Sequence, residues 1–287
     1  MTRLAPVISI SHGGGPMPIL GDPSQAALTH SMKTRVPQIL KLGTPEQPKA
    51  IVLVTAHWST DTVTISSGEK HDLYYDYSGF PAEAYRLRYD APGSPEVAEK
   101  VRRALEEAGL QSKKDAKRGW DHGVFVPMTL IHPQATIPIV QLSVLSSENP
   151  TVHHAIGRAL APLRAQNIAI VGSGFASLHN LRAMFSGATR TPAFKALNED
   201  WSRSVGDAVA TEDANEQHEK FKSWRKWPGY ICANEDFRLR REALLRKKLV
   251  KHEAVPVTQL LLLVVSLAWA PFDKVKNECA QPSASNA

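Results

Sequence analysis

Four short runs of β-branched and other apolar residues, each closed by polar, glycine or proline residues, constrain this chain more than any other feature. Residues 7–10, 51–55, 137–144 and 168–172 have the length and make-up of buried strands. Residues 62–66 alternate instead, with Val63 and Ile65 on one side, and read as a half-exposed strand. Between these runs, 24–41, 94–108, 151–166 and 193–209 have helical length and spacing. Ser94 ahead of Glu96, Val97 and Ala98 is a helix start, and Gly109 is a stop. Strands alternating with helices predict an α/β fold, a single domain with a central mostly parallel sheet flanked by helices, covering residues 1–235.

Composition removes several other outcomes. The 287 residues are 43% hydrophobic and 22% charged, which suffices for a large buried core. Two cysteines, Cys232 and Cys279, exclude a disulfide scaffold and a multi-cysteine zinc or iron–sulfur site. The apolar run 260–270 is too short to span a bilayer, so no membrane partner is expected. Met1 is followed by no charged-then-apolar leader, and the expected location is cytoplasmic. The formal net charge is +6, yet residues 236–254 alone hold Arg238, Arg240, Arg241, Arg246, Lys247, Lys248 and Lys251 against Asp236, Glu242 and Glu253. The rest of the chain is nearly neutral and shows no basic patch interleaved with aromatics. That argues against a nucleic-acid partner.

The informative residues are histidines. His12 follows the first strand and opens a Gly13-Gly14-Gly15 turn, and His57 follows the second strand just before Trp58. His122 lies between Asp121 and Gly123 ahead of the helix-like 124–131, and His179 follows the strand 168–172. In an open α/β sheet, ligands bind outside the carboxyl ends of the strands, where three of these four leave the sheet. Imidazoles on separate loops make a non-haem metal site for zinc or iron. His30, His71, His153, His154 and His218 lie in polar or helical contexts and read as surface. The His12-Gly13-Gly14-Gly15 run also looks like an esterase oxyanion loop, but the chain has no G-x-S-x-G nucleophile elbow. Gly172 and Gly174 begin a dinucleotide-type turn whose third glycine is Ser177, with no acidic residue near 192 to hold a ribose.

A series of short motifs occurs in order: Ser11-His12-Gly13-Gly14-Gly15-Pro16, Ala56-His57-Trp58, Gly79-Phe80-Pro81, Tyr89-Asp90-Ala91-Pro92-Gly93-Ser94, Asp121-His122-Gly123, Val140-Gln141-Leu142-Ser143 and His179-Asn180-Leu181. Over roughly residues 5–235 this series resembles the class III extradiol ring-cleaving dioxygenases, in the branch similar to 4,5-DOPA extradiol dioxygenase. The resemblance implies a non-haem centre holding Fe(II) or Zn(II), a catechol-type substrate and O2. It implies metal ligation by His12 and His57. His179 would be a further ligand or the acid–base residue beside the metal, and His122 would line the substrate and oxygen pocket. A neutral histidine suits such proton transfers because its pKa lies near neutrality. Zinc cannot exchange electrons with O2, so ring opening calls for iron.

The resemblance stops near residue 235. The family places a further ligand in a Glu-His-aromatic-x-Pro-Leu segment. Here Ala233-Asn234-Glu235 fits, but the nearest later match is His252-Glu253 before Pro256, with altered spacing and no aromatic. His252 is therefore not carried over as a ligand. Residues 236–287 form an atypical C-terminal segment, in the manner of a frameshifted or mis-spliced reading frame or of a divergent tail. Two functional expectations result: an active extradiol dioxygenase, or a catalytically impaired metal-binding remnant of that family.

Overall fold

A computed structural model describes residues 3–174 and 190–229, which fall into two compact units. The first is built on six strands: β1 (Val7–Ser11), β2 (Ala50–Thr60), β3 (Val63–Ser66), β4 (Ser112–Asp115), β5 (Ile139–Leu145) and β6 (Ile168–Gly174). They form one sheet in the order β1-β6-β2-β5-β3-β4. Every pairing is parallel except β3 against β5. This is the expected α/β architecture with a mostly parallel sheet.

Parallel strands are covered on both faces, which is why the central runs are apolar at every position rather than at alternate ones. Alternate side chains then build two separate cores. Val52, Val54, Val140, Leu142, Val144, Ile168 and Ile170 pack on one face. Ile51, Leu53, Ile139, Ala169 and Val171 pack on the other. The first face is closed by α2 (Pro95–Glu107) through Val97, Ala98, Val101 and Leu105, and by α4 (Pro150–Leu160). The second is closed by α1 (Ala26–Ile39) and by α3 (His122–Ile131). Ser94 accepts from the Val97 backbone N–H, and Asn149 from those of Thr151 and Val152, so both helix starts satisfy donors that the first turn leaves open.

Several boundaries differ from the sequence reading. The stretch 151–166 is not one helix: α4 ends at Leu160 and a 3-10 turn runs Ala161–Gln166. Pro162 explains the break, since it lacks the N–H and crowds the preceding turn. β2 extends to Thr60, beyond the expected end at 55. β4 was not foreseen, because Ser-Lys-Lys-Asp has no apolar residue; its exposed Lys113 and Lys114 suit a sheet edge. His153 is a correction. Its helical, polar context reads as surface, but it is fully buried, with Nδ1–H donating to the Asn149 carbonyl (2.8 Å) and Nε2 accepting from the Leu145 backbone N–H (3.0 Å). Both ring nitrogens are thus used in the neutral form, and burial pushes its pKa down to about 4.

The second unit contains α5 (Pro192–Val209) and α6 (Ala214–Lys222), followed by a 3-10 turn at Trp224–Lys226. Trp201 stacks near Trp224 and Trp227, with ring centres at 6.4 and 5.8 Å, and Trp227 lies 5.3 Å from Phe221. Among the described residues, no helix is long and apolar enough to cross a membrane. His179, His252 and the segment 236–287 lie outside the described residues.

Candidate metal centre

The site begins as a change of chemistry along one face of the sheet. The apolar series on the α1/α3 face is Ile8 and Ile10 on β1, Ile51 and Leu53 on β2, Ile139 on β5, and Ala169 and Val171 on β6. Two residues further on, toward the carboxyl ends, the same series reads His12, Thr55, Gln141 and Ser173. All four are fully buried. The parallel register staggers them: Thr55 pairs with Ser173, Gln141 stands one two-residue step earlier beside Leu53, and His12 lies one such step beyond Ile10, the β1 partner of Ser173. A polar layer therefore caps an apolar one, at the edge where open α/β sheets bind ligands.

Three local devices bring imidazoles to this layer. His12 leaves β1 into a turn at Gly13, whose φ of +83° and whose approach to Pro18, 2.4 Å from where a Cβ would stand, admit only glycine. β2 pairs Val54 with Leu142 and then Ser59 with Val144, so residues 55–58 form a bulge that re-aims His57. His122 is the first residue of α3, with Asp121 at the cap position, and its backbone N–H donates to Asp76 Oδ1 at 2.9 Å. The ring centres lie 4.8 Å apart for His12–His57, 5.0 Å for His12–His122 and 3.9 Å for His57–His122. One ring nitrogen from each lies within 4.8 Å of the others.

The outer hydrogen bonds fix which nitrogen faces inward. Ser173 donates its hydroxyl to the Gly123 carbonyl, so toward His12 Nδ1 (3.0 Å) it can only accept. His12 therefore carries its proton on Nδ1 and a lone pair on Nε2. His122 Nδ1 lies 2.7 Å from Asp76 Oδ1, which fixes the same tautomer. His57 Nδ1 faces Asp76 Oδ2 at 3.5 Å, and its Nε2 stands 2.9 Å from His12 Nε2. Two lone pairs at that separation repel unless a proton or cation lies between them. Two nitrogens bonded at about 2.1 Å to one ion and about 90° apart would be about 3 Å from each other, so the donor set fits a metal ion. Backing imidazole ligands with a carboxylate or hydroxyl is also how metal sites orient them.

A second layer of charge supports the first. Burial opposes ionisation of Asp76, but hydrogen bonding and charge from His122, aided by His57, hold its carboxyl below the ordinary value. Asp121 is fully buried. Burial and the charge of Asp76 push its carboxyl up, opposed by Thr55, Arg118 and His122. Its Oδ1 accepts from the Thr55 hydroxyl (2.7 Å), and its Oδ2 accepts from Gln141 (2.7 Å) and Arg118 (3.1 Å). The Arg118 guanidinium is held between Trp58 (4.8 Å) and Tyr74 (5.2 Å). Gly123 leaves no room for a Cβ, which would stand 2.6 Å from Thr55 Oγ1 and 3.2 Å from His57 Cδ2.

Residues 6–239 match the family of the catalytic LigB subunit of aromatic ring-opening dioxygenase. This chain belongs to the LigB family. Among curated relatives, dioxygenase tasH of Hapsidospora irregularis is 52% identical over 235 residues, 79% of this chain and 71% of that protein. The 4,5-DOPA dioxygenase extradiol of Beta vulgaris is 36% identical over 190 residues, 65% of this chain and 70% of that one. An uncharacterized Escherichia coli K12 protein of known crystal structure superposes with a TM-score of 0.61 at 30% identity, covering 93% of this chain and 89% of its own. As a LigB-family member the chain is a non-haem, metal-dependent ring-opening dioxygenase, and three of its histidines are positioned for a metal.

Of the four histidines singled out from the sequence, His12, His57 and His122 come together, and His179 lies outside the described residues. His122, expected to line the pocket, stands as close to the other two as a ligand would. Sequence reasoning missed Asp76, Thr55, Arg118 and Ser173. Nothing in the sequence marks Asp76, one acidic residue among tyrosines. Ser173 sat inside the Gly172–Gly174 run that looked like a phosphate turn, and it instead orients His12.

Proposed function

We propose that this chain is an extradiol dioxygenase that opens the ring of a catechol-type, DOPA-like aromatic with O2 in the cytoplasm. Both atoms of O2 enter the product, and the bond broken joins a hydroxyl-bearing ring carbon to its neighbour outside the diol. The observation that carries the reading is the convergence of three imidazoles with Nδ1 engaged outward in a LigB-family chain. The name of the Beta vulgaris relative, a 4,5-DOPA dioxygenase extradiol, supports the substrate class.

In this reading His12 and His57 hold the metal, Fe(II) for catalysis, with Zn(II) as a non-redox occupant. When bound, iron supplies the electron exchange with O2 that no side chain can provide. His179 is a further ligand or the acid–base residue. His122 faces the substrate and keeps a basic Nε2 because Asp76 holds the proton on Nδ1, so it can take a catechol proton and return it to the opened product. Tyr77, 5.9 Å from the His122 ring, donates its hydroxyl to the Ala84 carbonyl at 2.6 Å and so offers the site an aromatic wall rather than a free phenol.

The second reading is a metal-binding remnant without turnover. It is supported by the family match ending at residue 239, close to where the composition turns basic. Anaerobic loading with Fe(II), then air and a catechol panel including DOPA, separates the two. A yellow ring-opened product with O2 uptake supports the enzyme, and stoichiometric iron with no product supports the remnant.

A further inference from the structure

We infer that Asp76 is a shared positioning residue that selects the inward-facing tautomer of both His57 and His122. The inference rests on the reading of His57 as a metal ligand and goes beyond it by naming what makes His57 one. Asp76 lies in the long segment between β3 and α2, not on the sheet, and its two oxygens serve different histidines. Oδ1 takes the His122 backbone N–H at 2.9 Å and His122 Nδ1 at 2.7 Å. Oδ2 faces His57 Nδ1 at 3.5 Å. The Asp76 side chain is 12% exposed and the His57 side chain 18%, so solvent is a poor substitute for either contact. An ionised carboxylate only accepts, so the His122 Nδ1 bonded to it carries a proton, and its negative charge 3.5 Å from His57 Nδ1 favours a proton over a lone pair there; both Nε2 atoms then present lone pairs to the site.

Asparagine breaks this logic in a specific direction. It has one accepting oxygen and one donating nitrogen. The oxygen is claimed by the two N–H groups of His122, because an NH2 there would face two donors at once. The donating nitrogen is then left facing His57 Nδ1. His57 can accept that hydrogen only by moving its own proton to Nε2, which withdraws its lone pair from the metal. Alanine imposes no donor: His57 loses an orienting partner but keeps the freedom to hold its proton on Nδ1. The near-isosteric Asp76→Asn must therefore impair metal binding more than Asp76→Ala, the reverse of the order expected if Asp76 only fills space.

The test is Zn(II) affinity by competition with a chromophoric chelator, together with ring-nitrogen NMR of 15N-histidine-labelled protein to report tautomers. Circular dichroism checks the fold of each variant. Asp76→Asn is expected to weaken Zn(II) binding by about ten- to hundredfold, and Asp76→Ala by less. Zinc affinity unchanged in Asp76→Asn, or lowered at least as far in Asp76→Ala, overturns the inference. If wild-type protein retains no zinc, the metal reading fails and the tautomers of the metal-free protein decide the matter. His122 protonated on Nδ1 in wild type and Asp76→Asn, with a mixture in Asp76→Ala, supports the role. His122 protonated on Nε2 in wild type, or one tautomer throughout, overturns it.

Discussion

His153 couples the stability of the sheet unit to pH, and the size of the effect can be worked from its surroundings. Its Nε2 accepts the Leu145 N–H at the end of β5 and its Nδ1–H donates to the Asn149 carbonyl at the start of α4, in a fully buried place. Protonation would set a second ring N–H against the Leu145 N–H, and its pKa is accordingly pushed down from 6.5 to about 4. The folded-state pKa is depressed, so between these values the unfolded chain binds a proton that the folded chain refuses. The stability contributed is complete above pH about 6.5 and is lost as pH falls toward 4. A difference of about 2.5 units corresponds to about 3 kcal/mol at most, of which about 2 kcal/mol is lost between pH 7 and pH 5. Other carboxylates and histidines also titrate there, so the measurement is a comparison. Urea unfolding of wild type and His153→Gln at both pH values should show the variant less stable at pH 7 but losing about 2 kcal/mol less on acidification. Equal losses in the two proteins would refute the assignment of His153 as a buried neutral histidine.

Other expectations concern the metal centre. Gly123→Ala should cost about 1–3 kcal/mol by overpacking against Thr55 and His57 and should lower turnover together with metal retention, read by unfolding and by metal analysis. His12→Ala and His57→Ala should abolish metal retention, whereas His122→Ala should leave metal bound and depress turnover; a metal content that survives both ligand substitutions would break the assignment. Ser173→Ala removes the acceptor that holds the His12 proton on Nδ1 and should weaken metal binding by about tenfold, measured with the same chelator competition.

The polar layer explains why this edge of the sheet, and not another, carries the site. Burying Thr55, Gln141, Asp121 and Ser173 without partners would cost several kcal/mol in all. Here Thr55 and Gln141 donate to Asp121, and Ser173 bridges His12 and Gly123. The network also ties the β2 bulge to the start of α3, because Thr55 lies on one and Asp121 caps the other. His57 and His122 are thereby fixed relative to each other by groups outside the cluster of three histidines.

The sequence by itself determined the layer architecture and most of the histidines. Buried parallel strands need continuous β-branched runs, and those runs stand out at 7–10, 51–55, 137–144 and 168–172. Histidines beside glycine turns at strand ends are visible for the same local reason. What it could not determine is anything that depends on long-range pairing. β4 has no apolar pattern and is a strand only because β3 offers it an edge. His153 looks polar and helical in sequence, and only the packing of α4 against the end of β5 buries it. The bulge at 55–58 arises from the mismatch between β2 and β5, which neither segment contains alone. Asp76 acquires its role through contacts 46 residues away along the chain to His122. A hydrophobic period is written locally because each residue meets the core through its own face. The partner that decides a histidine's tautomer is chosen by the fold, which brings together side chains that no spacing in the sequence relates.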